Sequence, residues 1–132
     1  GYVLAPTLEA KYTIEALQQA ISHAGSGNLC GTIHHSDRGV QYCCDEYITL
    51  LKEHHIRISM TEDSNPTDNG MAERVNGIIK NEFLEPLQTP KNLLEALPLV
   101  DHAVRTYNTL RPHLNLNMRT PAQVYEGKQI IL

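Results

Sequence analysis

Along residues 13–24, "TIEALQQAISHA", apolar side chains return at Ile14, Leu17, Ile21 and Ala24, the three-and-four spacing of an amphipathic helix. Thr13 is placed as its N-cap, Glu15 falls in the first turn and Gly25 supplies the stop. The period then changes. "LCGTIHHS", residues 29–36, is short, β-branched at its centre and bounded by Gly27-Asn28 and Asp37-Arg38-Gly39, which predicts a buried strand. "CDEYITLLKEHH", residues 44–55, returns to helical spacing, with Cys44, Tyr47, Ile48 and Leu51 on one face and Asp45 and Glu46 at the positive end. A thiol is a poor hydrogen-bond acceptor, so with Cys44 at its start this helix is expected to fray there. "IRISMT", residues 56–61, alternates Ile56, Ile58 and Met60 against Arg57, Ser59 and Thr61, the period of a strand.

The order helix, strand, helix, strand with short connections predicts parallel strands joined by right-handed crossovers, an α/β layer. Ligands of such sheets sit beyond the C-terminal ends of the strands, and Asp37 stands there. Alone, an aspartate before Gly39 does no more than make a turn. A polar loop, "EDSNPTDNG", with the composition of a mobile segment, leads into "MAERVNGIIKNEFLEPL", residues 71–87, where Val75, Ile79 and Phe83 form a core-facing stripe. Glu73, Asn76, Gly77 and Lys80 fall on another face, with Glu73 and Lys80 two turns and roughly 10 Å apart along the axis. Alone, that face is an ordinary solvated one. Further on, Thr89-Pro90 opens a long helix with Leu93, Leu97, Val100, Val104 and Tyr107 on one side. Pro98 should kink it, and its place is in the core rather than in a DNA groove. "RTPAQVY", residues 119–125, predicts a short helix capped by Thr120 before Pro121.

Composition narrows the function classes. The 132 residues are 41% apolar without the run of about 18 apolar residues that a membrane span needs, so one soluble domain over residues 1–132 is expected. "GYVLAPTLEA" has neither a basic start nor a long apolar stretch, which sets aside a secretory signal and makes the cytoplasm the expected location. Cys30, Cys43 and Cys44 lack C-x-x-C spacing and are expected as reduced thiols rather than disulfides or zinc ligands. His34-His35 and His54-His55 lack zinc spacing too, and neighbours on a strand point to opposite faces. A net charge of -4 gives no long-range attraction for DNA, so a nucleic-acid role must use local basic residues or neighbouring domains. With one Phe, six Tyr and no Trp, base-stacking platforms are not expected.

Taken together, "HSDRG" around Asp37, "DNGMAERVNGIIKNE" around Glu73, and "YNTLRPHLNLNMRTPAQVYEG" over residues 107–127 resemble, in that order, the integrase core of bacterial insertion-sequence transposases, the branch similar to retroviral integrase. The resemblance covers nearly the whole chain. It implies an α/β, ribonuclease-H-like integrase core followed by C-terminal helices, with Asp37 as the second acid of the Asp-Asp-Glu triad and Glu73 as the third. Lys80 is then the basic residue seven positions after the glutamate, placed for backbone phosphate, with Asn76 as a second DNA contact. The implied cofactor is Mg²⁺ or Mn²⁺, held by Asp37 and Glu73, and not tightly by this chain alone. The implied reaction is cleavage at transposon ends followed by attack of a 3′-hydroxyl on target DNA. Transposon-end and target DNA are therefore the expected partners, with no membrane. The triad's first acid has no counterpart, because only Glu9 and Glu15 precede Asp37 among the carboxylates. The chain is accordingly expected to lack the core's first strands and to self-associate through the edge they leave. The alternatives are a non-catalytic assembly or DNA-docking fragment of a transposase and, with less weight, a different ribonuclease-H-like nuclease, which would not require the "YNTLRPH" and "RTPAQVY" pair.

Overall fold

The change of period at residue 25 is realised as a change of element in a computed structural model, which describes residues 1–25, 27–61, 69–84 and 90–129. Helix α1 runs from Ala10 to Ala24. It starts a turn before the expected cap: Glu9 is the N-cap residue without a side-chain cap bond. Thr13 lies inside the helix, where its hydroxyl donates to the Ala10 carbonyl at 2.7 Å, the back-bonding open to a mid-helix threonine. The stop is as expected. Gly25, at φ 83°, donates its N–H to the Ile21 carbonyl at 3.1 Å, in a left-handed backbone that glycine enters without steric cost.

Strand β1 spans Ile33–Ser36, half the stretch its composition suggested. The residues before it are spent on turns, with Cys30 N–H donating to Gly27 at 3.2 Å and Thr32 N–H to Leu29 at 3.0 Å. A short helix α2, Val40–Cys43, follows, then α3, Asp45–Glu53, and strand β2, Arg57–Met60. Cys44 is the N-cap residue of α3 without capping it; its thiol lies 3.4 Å from the Gln41 carbonyl instead. The two strands pair in parallel, Ile33 with Arg57 through Ser36 with Met60, as a helix-containing crossover requires. That register puts His34, Ser36, Ile58 and Met60 on one face of the pair and Ile33, His35, Arg57 and Ser59 on the other.

The core of residues 1–73 lies between α1, α3 and the start of β2. Ile14, Leu17, Tyr47, Leu51 and Ile56 are buried together, with Ile21, Leu29, Tyr42, Cys44 and Leu50 packed around them. Of the expected stripe of α3, Tyr47 and Leu51 are buried, while Cys44 and Ile48 are half-buried. Thr61, expected on the outer side of its strand, is buried as well, because the ladder runs one residue past β2: its N–H donates to the Ser36 carbonyl at 3.1 Å.

Residues 74–132 form a second compact unit. Helix α4, Gly70–Ile78, enters it and continues as a π-helical segment, Ile79–Leu84. Val75, Ile79 and Phe83 are half-buried rather than buried. The long helix α5, Leu93–Thr109, contains Pro98. Its N-cap is Asn92, whose side chain accepts from Glu95 N–H at 3.0 Å while the Glu95 carboxylate takes the Lys91 N–H at 2.9 Å; Thr89, the expected cap, lies outside the described residues. Helix α6, Pro121–Gln129, starts as the sequence suggested. Thr120 Oγ1 accepts from Gln123 N–H at 3.3 Å and Gln123 Oε1 accepts from Thr120 N–H at 3.0 Å, a reciprocal capping box. No helix among the described residues is long and apolar enough to cross a membrane.

Leu51, 1% exposed at the centre of the first core, sets the scale of that core's stability. Leu51→Ala is expected to cost about 2–5 kcal/mol, a large part of a small domain's total. Urea unfolding followed by circular dichroism measures it, and a midpoint unchanged from wild type would place the stabilising core elsewhere.

Candidate active site at the exit of the first strand

β1 ends at Ser36, and the next residue, Asp37, is exposed with its Oδ1 accepting the Gly39 N–H at 2.9 Å. The carboxylate is therefore anchored by a local turn while its other oxygen is left to solvent or a ligand. Space at Gly39 is tight: a Cβ there would stand 2.9 Å from that same Asp37 oxygen and 2.6 Å from the Gln41 amide nitrogen, so a larger residue would make those side chains shift. Arg38 turns the other way. Its Nε donates to the Thr61 carbonyl at 2.8 Å, so the exits of both strands are stitched together by one backbone bond, from Thr61 to Ser36, and one side-chain bond.

Beneath the turn lies a polar and aromatic layer. Tyr47 Oη and His34 Nε2 share a hydrogen bond of 2.9 Å, and their rings meet edge to face at 5.5 Å, as do those of Tyr42 and Tyr47. Burial holds the His34 imidazole below its ordinary range, with a lesser push from neighbouring His35. Burial likewise lifts Tyr47 to about 12 and raises Tyr42, where the Asp37 charge adds to it. On the opposite face His35 Nδ1 and Ser59 Oγ pair across the strands at 2.8 Å.

Glu73, Asn76 and Lys80 are all exposed along one helical run. Glu73 sits in the first turn of α4, its N–H bonded to the Asn69 carbonyl at 3.2 Å. Lys80 lies just beyond the change from α to π geometry. A π turn rotates less per residue, so the straight two-turn spacing does not carry over unchanged; such segments recur at functional sites. Of the loop "EDSNPTDNG", residues 62–70, residues 62–68 lie outside the described residues. Among the described residues no three His, Cys, Asp or Glu side chains converge as a metal-sized group, and the three cysteines are unpaired thiols.

The "YNTLRPH" stretch has a partner that its sequence does not announce. Arg111 donates from Nε and Nη2 to the two oxygens of Glu82 in the π segment, both at 2.8 Å, the side-on geometry of the stronger ion pairs. His113 lies 3.4 Å from Arg111 Nη1 and packs edge to face on Tyr107 at 4.9 Å. Arg111 holds the Glu82 carboxyl below its usual range, so the pair's contribution is present above the ordinary glutamate pKa and lost as pH falls through the lowered value. Glu82 was not singled out from the sequence, because spacing along a chain carries no information on a partner 29 residues away.

Comparison with known proteins places the chain in context. The model of the Integrase core domain family matches residues 54–121, just over half of the chain. The transposase for insertion sequence element IS629 of Shigella sonnei is 31% identical over 123 residues, which cover 93% of this chain and 40% of that protein. Among solved structures, the catalytic core domain of BIV integrase superposes with a TM-score of 0.70 at 21% identity, covering 96% of this chain and 77% of that one. The HTLV-2 integrase catalytic core domain, solved in complex with magnesium, gives 0.62 at 29% identity over 87% of this chain and 68% of that one. The chain spans about a third to two fifths of the length of the curated relatives it matches.

The His34 and Tyr47 shifts have opposite consequences for stability. A histidine held neutral by burial contributes fully above the unfolded value of 6.5 and loses that contribution as pH falls toward its lowered folded value. A tyrosine held neutral contributes below 10 and loses it between 10 and about 12. The unfolding midpoint of wild type, followed against His34→Leu, is expected to drop in relative terms below about pH 6.5. Parallel curves for the two proteins from pH 8 to 5 would remove His34 as the group responsible.

Proposed function

The chain belongs to the Integrase core domain family, and from that membership we propose that it supplies part of the catalytic core of an insertion-sequence transposase, a polynucleotidyl transferase acting on transposon ends and target DNA. Its fold is the ribonuclease-H-like fold of integrase catalytic cores. The observation that carries the proposal is the exposed, turn-anchored carboxylate of Asp37 at the C-terminal exit of a parallel strand pair.

In this reading Asp37 and Glu73 are metal-holding acids. Both are exposed oxygen donors, and neither is paired with a cation among the ion pairs of the described residues. Such donors suit Mg²⁺ or Mn²⁺, which prefer hard oxygen ligands and keep several waters. When bound, a pair of such ions stabilises the attacking and leaving oxygens of a phosphodiester displacement. The protein's own part is positional. The Gly39 N–H fixes one Asp37 oxygen and with it the direction of the other; Glu73 arrives on the first turn of a helix. Lys80 and Asn76, exposed further along that run, contact backbone phosphate and set register rather than sequence.

No aspartate precedes Asp37, so this proposal assigns the triad's leading acid to no residue of the chain. Residues 1–132 alone are therefore expected to show no metal-dependent cleavage of transposon-end DNA and at most weak, roughly millimolar, divalent binding. In a transposase reading frame that supplies the leading acid, Asp37→Asn and Glu73→Gln should each lower cleavage by at least about 100-fold, some 2.7 kcal/mol in the barrier, with DNA binding largely retained. Cleavage that survives Asp37→Asn would overturn the assignment. A fragment that docks DNA without cutting it, the second reading, would bind normally and stay inert even with the leading acid supplied.

Self-association is part of the same proposal. The described sheet has two strands, which is marginal by itself and leaves edges open to pairing; Ile33 on its outer face is 56% exposed. The HTLV-2 core has been solved in dimeric and trimeric forms. Light scattering of residues 1–132 is expected to give a mass above 14.8 kDa that rises with concentration. A constant monomer mass at high concentration would contradict it.

A further inference from the structure

We propose that Arg38 is a phosphate-binding residue of the strand-exit site, taking a backbone phosphate oxygen of the DNA beside Asp37; the inference rests on the reading of Asp37 as a metal-holding acid. Three observations converge on it. The Nε–H of Arg38 is committed to the Thr61 carbonyl at 2.8 Å, which ties the guanidinium to the end of the neighbouring strand and leaves the edge formed by its two terminal nitrogens uncommitted among the described residues, on an exposed residue. That edge presents parallel N–H donors in the fork that matches a phosphate, and the ordering of the side chain is already met by the Thr61 bond.

Second, its charge meets no carboxylate among the ion pairs of the described residues. Lys11 is paired with Glu9 at 2.9 Å and Arg111 with Glu82 at 2.8 Å, whereas the one hydrogen bond of Arg38 among the described residues goes to a neutral carbonyl. A chain of net charge -4 attracts DNA only through local cations of this kind. Third, the position is next to Asp37 at the C-terminal end of a parallel pair, where such sheets bind ligands. A phosphate there meets the Asp37 charge, so the Arg38 contact should tell most when a divalent cation offsets that carboxylate.

Arg38→Gln separates the two roles of the side chain. The glutamine Nε2 falls where the arginine Nε stands, so an N–H remains for the Thr61 carbonyl while the charge and the outward fork are lost. The experiment is fluorescence anisotropy of a labelled 20-base-pair duplex with residues 1–132 in Mg²⁺ over a salt series, for wild type, Arg38→Gln, Arg38→Lys and Lys80→Ala, with melting by circular dichroism alongside. Arg38→Gln is expected to melt with wild type, to bind roughly 3- to 10-fold more weakly, and to reduce the slope of log affinity on log salt by about one. Arg38→Lys should keep the slope. A slope unchanged in Arg38→Gln but reduced in Lys80→Ala would overturn this inference alone and leave Arg38 as a strap between strands. Wild-type binding without salt dependence, or none at all, would overturn the DNA-facing reading of the surface and this inference with it.

Discussion

The parallel pairing of β1 with β2 is the constraint on which residues 1–73 depend. A parallel pair cannot be closed by a tight turn, so the chain must travel back along the sheet, and it does so through α2 and α3. The returning helix has to bury one face, and it buries Tyr47 and Leu51 against Ile14, Leu17 and Ile56. Parallel strands also bring both exits to the same end. Asp37, Arg38 and Thr61 are neighbours for that reason, and an antiparallel pair would have separated them by the length of a strand.

The interior beneath this end is more polar than packing alone would choose. His34 Nδ1 and Ser36 Oγ are buried without a hydrogen bond among the described residues, although the same strand could have carried apolar side chains at both places. Buried polar groups of this kind cost stability, and local departures from the best-packed choice concentrate at working sites. The Tyr47–His34 bond partly offsets the cost and ties the strand leading to Asp37 directly to α3. The second unit uses a different device. Its π segment is clamped to the end of α5 by a two-bond ion pair on the surface, where such pairs contribute modestly to stability but specify geometry.

Legibility in the sequence followed the range of the physics. Helices α1, α3 and α6 and strand β2 were readable because their signals are local: apolar period, acids in a first turn, a threonine before a proline. Asp37 was readable as a turn residue, and the structure makes it one, with the Gly39 N–H holding one carboxylate oxygen. Boundaries failed where burial and backbone bonding part company. Ala10–Tyr12 extend α1 without adding a buried side chain, so period alone began the helix at Thr13. The start of α5 was missed although Asn92 and Glu95 stand at capping-box spacing; Thr89-Pro90 offered a competing start signal. The π segment had no local signature, and the Glu82–Arg111 pair had none because it joins residues 29 apart in the chain.

The central claim is that Asp37 and Glu73 hold the same metal centre, and the direct measurement is of the metal. Crystals of a transposase carrying this chain, grown with Mn²⁺ and transposon-end DNA and measured at the manganese edge, are expected to show anomalous density about 2.1 Å from carboxylate oxygens of both residues. Manganese bound elsewhere, with Asp37 and Glu73 both free of it in the DNA complex, would contradict the account.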